Sequence, residues 1–500
     1  MTVFDKNIAA IKLKRPDIAH ALLQSPQGTA YKGIVIAKTG EPVPLFASGQ
    51  ALHSLYNPQK EAERTLASPA SFTIFCGLGN GIHLKVFLAQ NPHNFCAFTE
   101  ADYPSFKQLL SLIDYTELLS DNRVFLLPPC TDDSFIASIT KTYLPAAHGA
   151  LGCHMLRTWS EHFKTQTARL SEQIETALKK VKADFSVQAH FGKIWLRNIF
   201  SNLRIAASFR PEYPQTDTSR TALILGAGPG LEDGLIQLTK KRRQYTLFCT
   251  DTAFSVLRTY GVIPEFFIAL DPQHISYLHT LGEIPKETIG IFDLAVNTAA
   301  ARRLYENGNT LFFTAGGHPL IQTAAAFSPF PQLDTSSGTV AVAAYHAAQA
   351  LGFRHIECSG MDFAYTNGKA YARGTYLSHL YANNAERITP EETAFIRLMF
   401  RTETYDEQTE KGRTYRTALL DSYRTAFEAE KRSASRWQPA DFKQFPYRDF
   451  VTYFLESIKN RNKQSITSLL PSFAWCTVHG KENFTDIELV SELISEYTNP

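Results

Sequence analysis

Between residues 221 and 359 the chain repeats one pattern. Short apolar runs of strand length occur at 222–225, 245–249, 266–270, 289–292, 310–313 and 355–359, each ending in glycine or polar residues. Helical patterns lie between several of them, most clearly in the alanine-rich stretch 339–351. Strands separated by helices cannot close into hairpins; they pair in parallel through crossovers, which cover both faces of the sheet with helix. The expected fold class is therefore α/β. A looser copy precedes it. Gly33-Ile-Val-Ile-Ala37 and Pro42-Val-Pro-Leu-Phe46 read as a hairpin around Lys38-Thr-Gly-Glu41. Strand-like runs at 71–76, 94–100 and 124–127 follow, the first leading through Gly77-Leu-Gly-Asn-Gly81 into a helix. Two Rossmann-like units result, N-terminal and central.

The expected division is an N-terminal α/β domain over 1–155, a helical linker over 156–210, a central domain over 211–385 and a helical C-terminal domain over 386–500. The linker carries Phe191, Ile194, Trp195, Ile199 and Leu203 at helical spacing, with no proline between 156 and 205. In the C-terminal part, 414–431 and 447–459 read as helices.

Composition narrows the partners. The chain has 500 residues and a formal net charge of +2, so its overall balance gives no reason to bind nucleic acid or an anionic membrane. The seven cysteines, Cys76, Cys96, Cys130, Cys153, Cys249, Cys358 and Cys476, form no C-x-x-C pair. Four of them, Cys76, Cys96, Cys249 and Cys358, lie in or beside strand-like runs and read as small buried hydrophobes, which suits a reducing compartment. No signal peptide or membrane-spanning stretch is recognisable, and a cytoplasmic location is expected.

Several constellations carry chemistry. Gly226-Ala-Gly-Pro-Gly230 follows an apolar strand and departs from G-x-G-x-x-G, since Pro229 removes a donor. It suits either a tight strand-to-helix turn or a close backbone approach to a phosphate at a helix N-terminus. Asp251 and Asp271 each end an apolar strand, where an aspartate caps a helix or lines a crevice at the strand ends. Asp334-Thr-Ser336-Ser337-Gly338-Thr339 precedes the alanine-rich helix; its hydroxyls cap that helix or help hold a carboxylate or phosphate. After the last strand, Asp362, Tyr365, Asn367, Lys369, Tyr371 and Arg373 crowd one loop. Two phenols six residues apart, a carboxylate and two cations favour an oxygen-rich, anionic ligand. In the first unit, Gly77–Gly81 and Glu100 suit a nucleoside, an arrangement that resembles S-adenosylmethionine-dependent methyltransferases; the alternative is a nucleotide fold kept for structure or docking. P-loop, G-x-S-x-G, H-E-x-x-H and paired Cys/His patterns are absent, as is a D-x-D in the central unit, so no metal site is expected.

Gly226-Ala-Gly-Pro-Gly230, Asp271-Pro272, Ser337-Gly338-Thr-Val-Ala341 and Gly360-Met-Asp-Phe-Ala-Tyr365-Thr-Asn-Gly-Lys369 resemble the motility-associated factor (Maf) family of flagellin glycosyltransferases. Upstream, Trp195-x-x-Asn198-x-x-x-Asn202 is similar to the helix that precedes this domain in that family. The resemblance implies a central domain similar to bacterial sialyltransferases. It implies inverting transfer of a nonulosonic acid, of pseudaminic or legionaminic type, from a CMP-activated donor to Ser or Thr of flagellin, in support of flagellar assembly and motility. The donor is a substrate, and no further cofactor is implied.

On that likeness Tyr365 and Tyr371 hold the CMP phosphate and Ser336 and Ser337 lie near the sugar carboxylate. Gly226, Gly228 and Gly230 meet the nucleotide. Asp251 stands where the sialyltransferases place a donor-contacting Asn. Asp271, Gly338, Asp362 and Lys369 complete the expected donor site. The sialyltransferase base is a histidine well downstream of the tyrosines; His379 is the candidate here, and it lies closer to Tyr371 than the pattern asks. Ala227 replaces the Asn of the sialyltransferase turn. Two alternatives stay open: a pterin pyrophosphokinase-like enzyme, with Asp251, Asp271 and Asp362 holding Mg²⁺ for ATP, and a flagellin-binding chaperone without catalysis.

Overall fold

The structure, a computed structural model, describes residues 1–66, 70–409, 412–429 and 435–480. The chain forms two compact units, Met1–His190 with Phe473–Gly480, and one containing Phe191–Ser472. The helix Lys164–Ala207 contributes residues to both.

The first unit carries the expected hairpin, β1 (Tyr31–Ile36) with β2 (Pro42–Phe46), antiparallel. Its sheet has four parallel strands: β3 (Phe72–Cys76), β4 (Phe95–Thr99), β5 (Val124–Leu126) and β6 (Leu151–Met155), in the order β5-β4-β3-β6. β6 does not read as a strand in the sequence. Leu-Gly-Cys-His-Met lacks β-branched residues, and its half-exposed burial pattern is that of an edge.

The second unit holds six parallel strands: β7 (Thr221–Leu225), β8 (Tyr245–Thr250), β9 (Phe266–Ala269), β10 (Ile289–Asp293), β11 (Leu311–Thr314) and β12 (Ile356–Ser359). Their order is β11-β10-β9-β8-β7-β12. Strands β7 to β11 are buried on both faces, which is why they read as unbroken apolar runs. One face carries Ala222, Ile224, Phe248, Phe266, Ile268, Ile291 and Phe312 against Ala343, Ala344, Ala347 and Ala348 of the helix Val340–Leu351. Alanines at that spacing let the helix sit close to a sheet rich in phenylalanine.

β12 is the exception. It is an edge strand with an exposed middle, and Cys358 on it is exposed, not the buried hydrophobe its sequence suggests. The chain steps one way from β7 to β11 and then returns to place β12 on the other side of β7. That reversal opens a crevice at the carboxyl ends of β7 and β12, the position where open α/β sheets bind ligands.

A small antiparallel sheet extends the loop after β12: β13 (Tyr365–Thr366), β14 (Tyr405–Thr409) and β15 (Gly412–Arg416), in the order β13-β15-β14. The sequence reading assigned 414–431 to one helix. Thr414–Arg416 pairs as strand instead, β-branched and aromatic side chains favouring the extended form, and the helix spans Ala418–Ala429. The helix Tyr447–Lys459 falls where expected.

Candidate functional site

The long helix fixes the back of the second unit's crevice. Asn198 and Asn202 lie one turn apart on one face. The Asn198 side-chain amide donates to the carbonyls of Pro272 (3.0 Å) and Ala295 (3.1 Å), and that of Asn202 to Leu294 (2.9 Å) and Val296 (2.8 Å). The Trp-x-x-Asn-x-x-x-Asn motif therefore pins the loops that leave β9 and β10.

At the switch point the β7 and β12 loops clasp each other. Gly360 has φ +68°, and a Cβ there would run into the carbonyl of Gly226; one on Gly226 would stand 2.5 Å from the carbonyl of Gly360. The Gly226–Gly230 turn thus makes its close backbone approach to the chain's own next loop. The Asp362 carboxylate lies in the concavity of the turn, accepting from the Gly230 N–H at 3.1 and 3.3 Å. It takes the donor that a phosphate would claim at this helix start. Phe363 follows with φ 47°, an uncommon conformation for a bulky residue.

Beside this clasp lies a cleft of ≈ 350 Å³. Gly226, Gly228, Gly338, Asp362, Tyr365 and Tyr371 of the expected site residues line it. The helix Val340–Leu351 begins at the same cleft, with Thr339, Val340 and Ala341 on the wall and no side chain capping its first turn, so its free N–H groups are available to an anion.

The other expected residues stand apart. Gly230 lines a neighbouring cleft. Asp251 is buried at the start of the helix Asp251–Thr259, its carboxylate accepting from the Thr252 N–H at 2.7 Å, and burial raises its pKa. Thr250 and Thr252 beside it reach the cleft. Asp271 accepts from the Gln273 N–H at 2.8 Å. Ser336 is exposed and Ser337 Oγ is buried without a hydrogen-bond partner; neither is in the wall. Lys369 pairs with Glu232 at 2.9 Å, and Glu232 also accepts from the Arg373 N–H. His379 is exposed on the helix Tyr376–Asn383, outside the cleft.

The sequence reading missed Arg401 and Tyr423. Arg401 lines the cleft and makes no hydrogen bond or ion pair with the described residues. Burial raises the pKa of Tyr365, Tyr371 and Tyr423, and the Arg401 guanidinium opposes the rise at all three, which places among three phenols a cation with no ion-pair partner among the described residues. Both new residues come from 386–429, which the sequence assigns to another domain but which shares a unit with the sheet. No motif in that polar stretch marks either residue.

The first unit's crevice is different. Glu100 is buried, and its two oxygens accept from the Leu78 N–H at 2.6 Å and from Trp159 Nε1 at 2.9 Å. Burial outweighs those two donors and pushes its pKa up to about 7. Gly77 and Gly79 make room for side chains of the chain itself: a Cβ on Gly77 would lie 2.7 Å from the Trp159 ring, and one on Gly79 would run into His53. The position expected for a nucleoside is filled by tryptophan and histidine.

The chain is similar to several known proteins. Residues 193–368 match the family model of 6-hydroxymethylpterin diphosphokinase MptE-like proteins. An uncharacterised protein of Treponema pallidum (strain Nichols) is 43% identical over 242 residues, covering 48% of this chain and 86% of the relative. The chain belongs to the family of that protein. A second protein of the same organism is 44% identical over 167 residues, 33% of this chain and 80% of its own. Among solved structures, a Maf glycosyltransferase from Magnetospirillum magneticum AMB-1 superposes with a TM-score of 0.51 at 15% identity, over 92% of this chain and 78% of that one. The resemblance drawn from the sequence motifs thus holds at the level of the fold.

Proposed function

We propose that this protein is a metal-independent, inverting glycosyltransferase, acting in the cytoplasm, that transfers a nonulosonic acid from a CMP-activated donor to Ser or Thr of flagellin. The observation that carries the reading is Arg401, unpaired among the described residues, beside Tyr365, Tyr371 and Tyr423 in a cleft at the sheet's switch point. A CMP-sugar presents two anions, a single phosphate and the sugar carboxylate. The guanidinium, the phenol hydroxyls and the uncapped N–H groups of the helix Val340–Leu351 are donors matched to both. As the bond from the anomeric carbon to the phosphate breaks, charge grows on the leaving CMP and positive character on the sugar. Fixed donors aimed at the phosphate favour that state over the ground state.

The pterin diphosphokinase reading is favoured by the family model over 193–368. It requires Asp251, Asp271 and Asp362 to ligate Mg²⁺, and all three carboxylates accept from backbone N–H groups of their own unit. Calorimetry separates the two readings. CMP is expected to bind without Mg²⁺. Tyr371→Phe weakens that binding by about tenfold, and Arg401→Ala by about tenfold to a hundredfold, the range for a hydrogen bond to a charged group. Binding of ATP alone, and only with Mg²⁺, overturns the transferase.

A further inference from the structure

A second cleft of ≈ 690 Å³ adjoins the first, and residues 360–364 line both. Successive residues of a strand point to opposite faces, and the small sheet uses this: Tyr365 lines the first cleft and Thr366 the second. The helix Ala418–Ala429 repeats the division, giving Leu420 and Tyr423 to the first cleft and Arg424 and Phe427 to the second. Asp362 lines both, with the Gly230 N–H at 3.1 and 3.3 Å fixing its carboxylate.

The two clefts differ in charge. The arginines of the second are compensated: Arg416 lies 3.5 Å from Glu407 and 3.7 Å from Asp421, and Arg424 lies 3.1 Å from Asp421. Hydroxyls of Thr366, Thr409 and Thr414 supply much of the remaining polarity. One rim is β14, the outermost strand of its sheet, exposed over most of its length and paired on one side only among the described residues. Such an edge offers a row of backbone donors and acceptors to another extended chain.

We propose that the second cleft is the acceptor groove and Asp362 the base that serves it, an inference that rests on the transfer reaction proposed above. An extended, Ser- or Thr-bearing polypeptide pairs along β14 and presents its hydroxyl beside Asp362, where the two clefts meet. The O–H bond breaks and the proton passes to the Asp362 carboxylate. The oxygen lone pair forms the new bond to the anomeric carbon, and the bond from that carbon to phosphate breaks, its electron pair leaving with CMP on the Arg401 side. Asp362 then releases the proton to solvent.

The test returns variants to cells lacking the protein, reads flagellin by intact mass, and measures CMP binding by calorimetry on each purified variant. Asp362→Asn keeps an acceptor for the Gly230 N–H but cannot take a proton; it is expected to lose transfer by about a hundredfold or more while still binding CMP. Thr409→Arg fills the groove and is expected to leave flagellin unmodified, again with CMP bound. Hydrogen exchange on the unaltered protein gives a second readout: purified flagellin slows the amides of 405–409. Fully modified flagellin with either variant, loss of CMP binding in Thr409→Arg, or unchanged exchange of β14 overturns the groove and leaves the transferase standing. Unmodified flagellin from cells carrying the unaltered protein, with no CMP binding, overturns both.

Discussion

The two units answer one topological question in opposite ways. Each has a parallel sheet, a glycine-rich turn after one strand and an acidic residue at the end of the next strand. In the first unit the crevice is closed by Trp159 and His53, and both oxygens of Glu100 are consumed internally. In the second, the glycines admit the Gly360–Asp362 loop and leave a cleft where Arg401 has no ion-pair partner among the described residues. The position in the fold is shared; the side chains that reach it decide whether it is core or site. On this comparison the first unit's turn packs against its own side chains, and the second unit's turn lines the proposed donor cleft.

The sharpest way to break that contrast is Trp159→Ala. Loss of the buried indole costs about 3–5 kcal/mol and removes the donor to one Glu100 oxygen, while CMP affinity in the second unit stays unchanged. Denaturant unfolding and calorimetry on the same variant check both halves; a parallel fall in CMP affinity places the first crevice in the function. The next effect is a dependence on pH. Glu100 has its pKa raised from 4.5 to about 7, and Asp293 in the second unit from 3.8 to about 7, both chiefly by burial. Between those limits the native state holds protons that the unfolded state has released. The contribution of each group to stability is therefore greatest below its unfolded pKa and falls as pH rises toward 7, by roughly 3 kcal/mol for Glu100 and roughly 4 kcal/mol for Asp293. Glu100→Gln removes one share of that slope and Asp293→Asn the other. A slope between pH 4.5 and 7.5 that neither substitution changes refutes the assignment.

What the sequence displayed and what it hid follow from the same physics. Five of the six central strands, β7 to β11, were legible within a residue or so because strands buried on both faces must be apolar throughout. The edge strands were harder: β6 is Leu-Gly-Cys-His-Met, and β14 is Tyr-Asp-Glu-Gln-Thr with an exposed surface. Neither carries an alternation strong enough to read. At the candidate site, Tyr365, Tyr371 and Asp362 announced themselves by crowding into one loop after a strand. Arg401 and Tyr423 did not, because their relation to that loop is made only by the antiparallel pairing of β13 with β15, and nothing local encodes a contact between residues so far apart in the chain. The glycines read as points where the backbone can approach a ligand, and the structure puts the chain's own Gly360–Asp362 loop, Trp159 and His53 against them.

That last point gives the finest test, the same substitution in both turns. In the second unit a Cβ on Gly228 would stand 2.8 Å from the Gly360 carbonyl and 3.0 Å from Cγ of Asp362. The backbone there needs no left-handed conformation, so Gly228→Ala acts by volume alone, at about 1–3 kcal/mol. The cost has to be met by moving the loop that lines the cleft, and CMP affinity falls with it. In the first unit Gly77 has φ +91° and a Cβ 2.7 Å from the Trp159 ring, so Gly77→Ala combines backbone strain with a clash. Its destabilisation is at least as large, yet the displaced groups are the tryptophan and the carboxylate that fill a closed crevice, and CMP affinity is expected to hold. Equal losses of affinity in the two variants would mean that destabilisation alone weakens binding. A loss confined to Gly228→Ala ties the ligand to the loop that Gly228 supports.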